Sequence, residues 1–252
     1  MIVPELELET VEPSFRRLAI ADNLRRSLAT KVLVAAAVEV NLTDFMFFRD
    51  IFKKKFESQW QAPFRIEIFM LKAMAEALKE YPALNSWFVT VPTPASSEAP
   101  STAVASPPVY QIRMYKSINI GLAFADEKGL IVPVVKDADQ KDYAALAKEI
   151  ERLYQGVKNG KLPPRDYKSG TITFNNPGAL GGVDGFSIPP PEQSAIVSLH
   201  KIEDVQRFNK CWCKEAKLNL VFDHQACDGR EALGFLNSIK SYFESEKYKS
   251  HT

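Results

Sequence analysis

Three cysteines and three histidines among 252 residues exclude a good deal of chemistry. Cys211, Cys213 and Cys227 are too few for a disulfide framework. Cys211 and Cys213 flank Trp212 and would share one face of a strand. A zinc site there would need further ligands, and His200, His224 and His251 do not cluster in the sequence, so no metal is expected. Charge of one sign is also lacking. With 32 basic against 31 acidic residues the formal net charge is +1, which gives no electrostatic case for nucleic acid or an anionic membrane. No apolar run approaches the roughly 20 residues of a membrane span. The opening MIVPELELETVEPSF lacks a basic stretch followed by an apolar core, so no signal peptide is expected and a cytoplasmic setting is the default.

What is present is ordinary soluble-protein composition, 46% hydrophobic and 25% charged, enough for one large core or two small ones. Helical and strand patterns alternate throughout, with no internal repeat. This argues for one mixed α/β domain over 14–246, preceded by an arm at 1–13 and followed by a polar tail at 247–252. Ser14 can cap a helix to about Ala29, with Leu18, Ala21, Leu24 and Leu28 on one face. Lys31–Val40 reads as a buried strand, and helices follow from Thr43 and from about Ile66 to Glu80. The Pro-, Ser- and Ala-rich stretch 91–108 cannot fill a core and reads as a flexible surface insertion. Two runs, Ile118–Ala125 and Leu130–Val135, form a hairpin-like pair, with Gly129 suited to positive φ at the turn. A helix spans Tyr143 to about Gly160. Lys217–Phe222 alternates as a strand and delivers His224 at its end.

His224 sits where a strand stops and a turn begins, a place from which a side chain can face a cleft, and its ordinary pKa suits a general base. The alternative is a packed or merely exposed histidine. Asp228-Gly229-Arg230-Glu231 has the form of a capping box opening the last helix. That reading is compatible with catalysis, because a capped turn is a rigid mount. The loop Asn175–Gly182 joins paired asparagines to a glycine-rich stretch, which lets a ligand approach the backbone or simply makes a tight connection. It lacks the lysine and spacing of a phosphate-binding loop, so nucleotide hydrolysis is discarded.

These residues lie within a longer pattern. In order come Arg16-Arg17-Leu18-Ala19-Ile20-Ala21, Glu39-Val40-Asn41-Leu42-Thr43, Leu84-Asn85-Ser86, Ile120-Gly121-Leu122-Ala123 and Gly129–Val135. Gly170–Asn176, Pro190–Val197 and Asp223-His224 with Asp228-Gly229 complete it. The chain resembles the catalytic domain of the dihydrolipoamide acyltransferases, the core component of 2-oxo acid dehydrogenase complexes, from Phe15 to Phe243. Chloramphenicol acetyltransferases share that fold and the His-x-x-x-Asp-Gly element. The resemblance implies a chloramphenicol acetyltransferase-like sandwich of a mixed sheet with flanking helices.

It also implies a reaction in which an acyl group moves between dihydrolipoamide and coenzyme A. A thiol is mostly protonated at neutral pH, so His224 would remove its proton before attack on the thioester. The tetrahedral oxyanion then needs a donor. Family members use a Ser or Thr hydroxyl where this chain has Asn175, whose amide can also donate; Thr173 is a second candidate. By resemblance Asn176 and Arg49 contact coenzyme A, and Asp228 braces the turn through Arg16 or Arg17. The departures are Gln225 where the family has Arg, Val32-Leu33 where it has Pro-His, and Ala179 at a small polar contact. Coenzyme A is then a substrate, and the lipoyl group comes in trans from a lipoyl domain on a separate chain. The assembly implied is a free homotrimer with active sites shared between subunits, since the cage-forming members end in an apolar tail. A stand-alone chloramphenicol-type O- or N-acyltransferase and a non-catalytic scaffold are the alternatives.

Overall fold

The computed structural model describes residues 9–91, 108–126, 129–208 and 210–251. Most of the insertion expected at 91–108, and residues 1–8 of the expected arm, lie outside them.

Chain order runs α1 (Phe15–Thr30), β1 (Leu33–Asn41), α2 (Thr43–Trp60), α3 (Ile66–Glu80), β2 (Ser86–Val91) and β3 (Val109–Met114). It continues with β4 (Ile120–Asp126), β5 (Gly129–Ile131), β6 (Val134–Val135), α4 (Tyr143–Lys158) and β7 (Ile172–Asn175). The last elements are β8 (Ala195–Leu199), β9 (Glu203–Gln206), β10 (Trp212–Asp223) and α5 (Gly229–Glu244). Among the described residues eight strands make one mixed sheet ordered β1-β10-β8-β7-β4-β5, with β6 beside β4 and β9 beside β10. β4, β7 and β8 run parallel and the other pairings are antiparallel. β2 and β3 form a separate ribbon.

Helices α2 to α5 cover one face of the sheet. β10 has the alternation that its sequence requires: Leu218, Leu220 and Phe222 enter the core beneath α5, while Lys217, Asn219, Val221 and Asp223 face the other side. α3 is buried on most of its circumference, which explains its apolar composition. An aromatic cluster fills the space between α2, α3 and α5. Phe45 meets Phe69, Phe243 and Tyr248 edge-on at 5.0, 5.1 and 5.2 Å between centroids. Tyr248, within the stretch set apart above as a polar tail, is fully buried, so the packed body continues past residue 246.

α1 departs from the expected pattern. Leu18 and Leu28 are each 54% exposed, and Ser27 is its buried residue. The helix leans on the opposite face of the sheet through Arg16, Ile20 and Ser27, and a cavity separates it from the strands. Leu18 and Leu28 therefore point outward rather than into the core, while Leu24 lines the cavity.

Candidate active site

β10 ends at Asp223, and His224 follows on a tight turn. The turn is built around Asp223: its carbonyl accepts from Ala226 N at 2.9 Å and Cys227 N at 3.3 Å, and its own N–H donates to Ser194 O at 2.8 Å. The N–H of His224 donates to Val32 O at 2.8 Å, tying the turn to the entry of β1. The imidazole is exposed and tilts over Phe222 at 5.6 Å. Among the described residues no group hydrogen-bonds to its ring.

Asp228 caps α5. Its Oδ1 accepts from Arg230 N at 2.9 Å and Glu231 N at 3.1 Å, and Glu231 Oε2 accepts from Asp228 N at 3.1 Å, which completes a capping box. Arg16 and Arg17 lie elsewhere. Arg16 donates to Gly129 O at 3.1 Å at the β4–β5 turn, where Gly129 adopts φ +120°. Cys227 beside this cap is buried, and burial pushes its thiol up to about 12, with Glu231, Asp223 and Asp228 adding to the rise. It stays protonated and is no nucleophile.

Asn175 and Thr173 alternate on β7 and both face a cavity of about 580 Å³ between α1 and the sheet. Its walls come from α1, the Leu130–Val134 stretch and the Phe186–Pro191 segment, and they are mainly apolar. Asn175 Nδ2 donates to Ser187 Oγ at 3.1 Å, and Ser187 shares a 3.0 Å hydrogen bond with Ser198. An amide carries two N–H groups, so one remains for a ligand. Thr173 is less available, since its hydroxyl donates to Gln193 Oε1 at 2.6 Å. Asn176 instead points to the helix side, where Nδ2 donates to Glu67 Oε1 at 2.8 Å and Oδ1 accepts from Ala179 N. Arg49 lies on α2 and pairs with Asp50 at 2.8 Å.

The register sets the distance between the two central candidates. Asn175 lies beside Ser198, Ser198 opposes Asn219, and His224 is five residues further along β10. At about 3.3 Å per residue and 4.8 Å between strands, they stand roughly 19 Å apart in one chain. No side chain spans that gap. The structure brings Asn175 and Thr173 together, and His224 with Asp228, but not the one pair with the other.

Sequence reasoning missed two features here. The cavity is one, because its proline wall and α1 are distant in sequence. The other is Lys31, whose Nζ donates to Ser27 Oγ at 2.8 Å, Pro191 O at 2.8 Å and Pro190 O at 3.1 Å. Burial lowers its ammonium to about 8, against the pull of Asp223 and with a contribution from Arg26. Its place between a helix end and a strand was the available signal.

Residues 5–249 match the family described as 2-oxoacid dehydrogenases acyltransferase (catalytic domain). The lipoamide acyltransferase component of the branched-chain alpha-keto acid dehydrogenase complex of Bacillus subtilis is 33% identical over 233 residues, 91% of this chain and 50% of that protein. The dihydrolipoyllysine-residue succinyltransferase component of the 2-oxoglutarate dehydrogenase complex of the same organism is 31% identical over 243 residues, 94% and 53%. The chain thus spans about half the length of the curated relatives it matches. The crystal structure of a probable dihydrolipoamide acetyltransferase from Listeria monocytogenes superposes with a TM-score of 0.81 at 30% identity, covering 94% of each chain. A chloramphenicol acetyltransferase shares the fold, with a TM-score of 0.50 at 11% identity over 88% of this chain and 94% of that one.

Proposed function

The chain belongs to the acyltransferase catalytic domains of the 2-oxoacid dehydrogenases, and on that premise we propose that it moves an acyl group between dihydrolipoamide and coenzyme A. The observation that carries the reading is the pair of half-sites. One is an exposed histidine on a rigid, capped turn; the other is an amide with a spare N–H on the wall of an apolar cavity.

His224 removes the proton from the attacking thiol, and the thiolate adds to the thioester carbonyl. The oxyanion accepts from the Asn175 Nδ2–H that Ser187 does not use. Collapse of the tetrahedral intermediate expels the second thiolate, which regains the proton from the His224 imidazolium. A general base of this kind contributes about 10²–10⁴-fold, and one oxyanion donor about 10²–10³-fold. The acyl-bearing thiol is that of a lipoyl group, in keeping with the relatives named for lipoamide and dihydrolipoyllysine.

The separation of roughly 19 Å supports a site in which His224 of one copy serves Asn175 of another. An unpartnered apolar surface supports such an assembly: Phe15 is 89% exposed, and Leu18 on α1 and Val34 on β1 are also open. We place the copies in a homotrimer, a closed ring in which one head-to-tail interface builds every site. Acyl transfer from acyl-CoA to dihydrolipoamide, run beside a panel of alcohols and amines, tests the reaction. Transfer to dihydrolipoamide that His224→Ala abolishes supports it. Transfer to the alcohols or amines alone, or equal rates for parent and variant, overturns it.

A further inference from the structure

Asp223 is 1% exposed, yet it is a charged residue with no part in the steps above. Its Oδ1 accepts three hydrogen bonds, from Val32 N, Gln225 N and Gln225 Nε2, each at 3.1 Å. Gln225 Nε2 also donates to Thr30 O at 2.9 Å. The carboxylate therefore pins both neighbours of the catalytic turn: the entry of β1 on one side and the residue after His224 on the other. Val32 closes the loop by accepting the His224 N–H. A proline at 32, or an apolar side chain at 225, would remove a donor.

The second oxygen, Oδ2, is buried and has no hydrogen-bond partner among the described residues. Such an atom is costly unless a cation lies near it. The cation whose field Asp223 feels is Lys31, at the end of α1, and Arg26 on the same helix is the other charged group acting on Lys31. From the remaining side, the cavity wall contributes the carbonyls of Pro190 and Pro191. Lys31 thus ties the end of α1 to the proline wall of the cavity, and the carboxylate beneath the His224 turn acts on it through charge rather than contact.

We propose that Asp223 is the positioning residue for His224, and that the Lys31 ammonium is the cation on which Asp223 depends. The inference rests on the reading of His224 as base. Asp228 fixes the helix that follows, whereas Asp223 fixes the backbone on both sides of the imidazole.

The test is the pH dependence of kcat for the full chain as Lys31→Arg, Lys31→Met and parent, with His224→Ala as the blank. Taking the ratio of variant to parent cancels the ionisation of the thiol substrate. The Lys31→Arg to parent ratio should rise above about pH 8, where the parent loses the Lys31 proton and a guanidinium does not. Lys31→Met and Asp223→Asn should lose about tenfold or more in kcat near pH 7, with KM for coenzyme A unchanged, the signature of a misplaced catalytic group. A flat Lys31→Arg ratio, or Lys31→Met with parental kcat, overturns the proposal.

If the parent is no faster than His224→Ala, the acyltransferase reading has failed instead, and unfolding decides the brace. A lysine whose folded-state pKa is lowered makes the parent gain stability relative to Lys31→Met as pH rises from about 8 to 10.5. Asp223 opposes that lowering, so the gain should be larger when the same pair is compared in an Asp223→Asn background, and an equal gain in both backgrounds contradicts the dependence of Asp223 on Lys31.

Discussion

Replacing Asn175 with alanine is the sharpest perturbation of the oxyanion half-site. The side chain makes one internal hydrogen bond, to Ser187 Oγ at 3.1 Å, and Ser187 keeps Ser198 as a second partner. The structural loss is therefore a single partly buried bond, worth about 0.5–1.5 kcal/mol. The loss in the transition state is larger, because an oxyanion donor is worth about 2.7–4 kcal/mol, or 10²–10³ in kcat. Stability and activity should thus separate. Asn175→Ala is expected to shift Tm by only a few degrees while kcat falls at least about a hundredfold. KM for the thiol should hold, because the donor acts on charge that develops only in the transition state. Asn175→Ser restores a donor on a shorter arm and should recover part of the loss. The assay is thioester formation from acyl-CoA and dihydrolipoamide under saturating substrate, with thermal unfolding alongside. If Asn175→Ala retains kcat within about twofold, the oxyanion role of this residue is wrong, whatever the fate of His224.

Further outcomes follow from the same structure. Asp228→Ala removes the α5 cap and should cost about 0.5–2 kcal/mol in denaturant unfolding; an unchanged midpoint would remove the cap from the account. Native protein treated with iodoacetamide near pH 8 should be modified at the exposed Cys211 well before Cys227, whose thiol is buried and held at about 12, as peptide mapping can check. Phe45→Ala opens a hole among Phe69, Phe243 and Tyr248 and should destabilise by about 3–5 kcal/mol in chemical unfolding. The hydrogen bond from Arg152 at 2.7 Å lowers the Asp166 carboxyl pKa. Its contribution is present above the unfolded carboxylate pKa and lost as pH falls through the folded one. Asp166→Asn should therefore reduce stability near neutral pH and flatten the acid limb of an unfolding profile.

The parts of this protein legible in its sequence are those where local pattern and tertiary demand agree. Lys217 to Phe222 alternates because one face of β10 meets α5, and the capping box at Asp228 is written in four consecutive residues. Gly129 marks the β4–β5 turn for the same reason: the backbone there needs positive φ. Legibility fails where a residue's environment is assembled from distant segments. Leu18 and Leu28 belong to a helical apolar stripe, but a cavity rather than a core lies on the sheet side of α1, and these two face outward. Tyr248 sits in a polar run and still enters the core, because its ring packs against Phe45, Phe48 and Phe69. Asp223 reads as the neighbour of a histidine, and its three donors and Lys31 emerge only once α1, β1 and the turn are in place. Asn175 was legible as a departure. Its spare N–H and its distance from His224 depend on strand register, which spacing alone does not fix.

The central claim is that one copy supplies His224 and another supplies Asn175, and mixing two inactive variants tests it most directly. His224→Ala and Asn175→Ala are purified separately, combined under conditions that allow subunits to exchange, and assayed for acyl transfer. Sites that draw the intact histidine from one variant and the intact asparagine from the other should return about a quarter of parental activity after random mixing. A mixture that stays as inactive as its components, with exchange verified by mass spectrometry, would contradict a shared site.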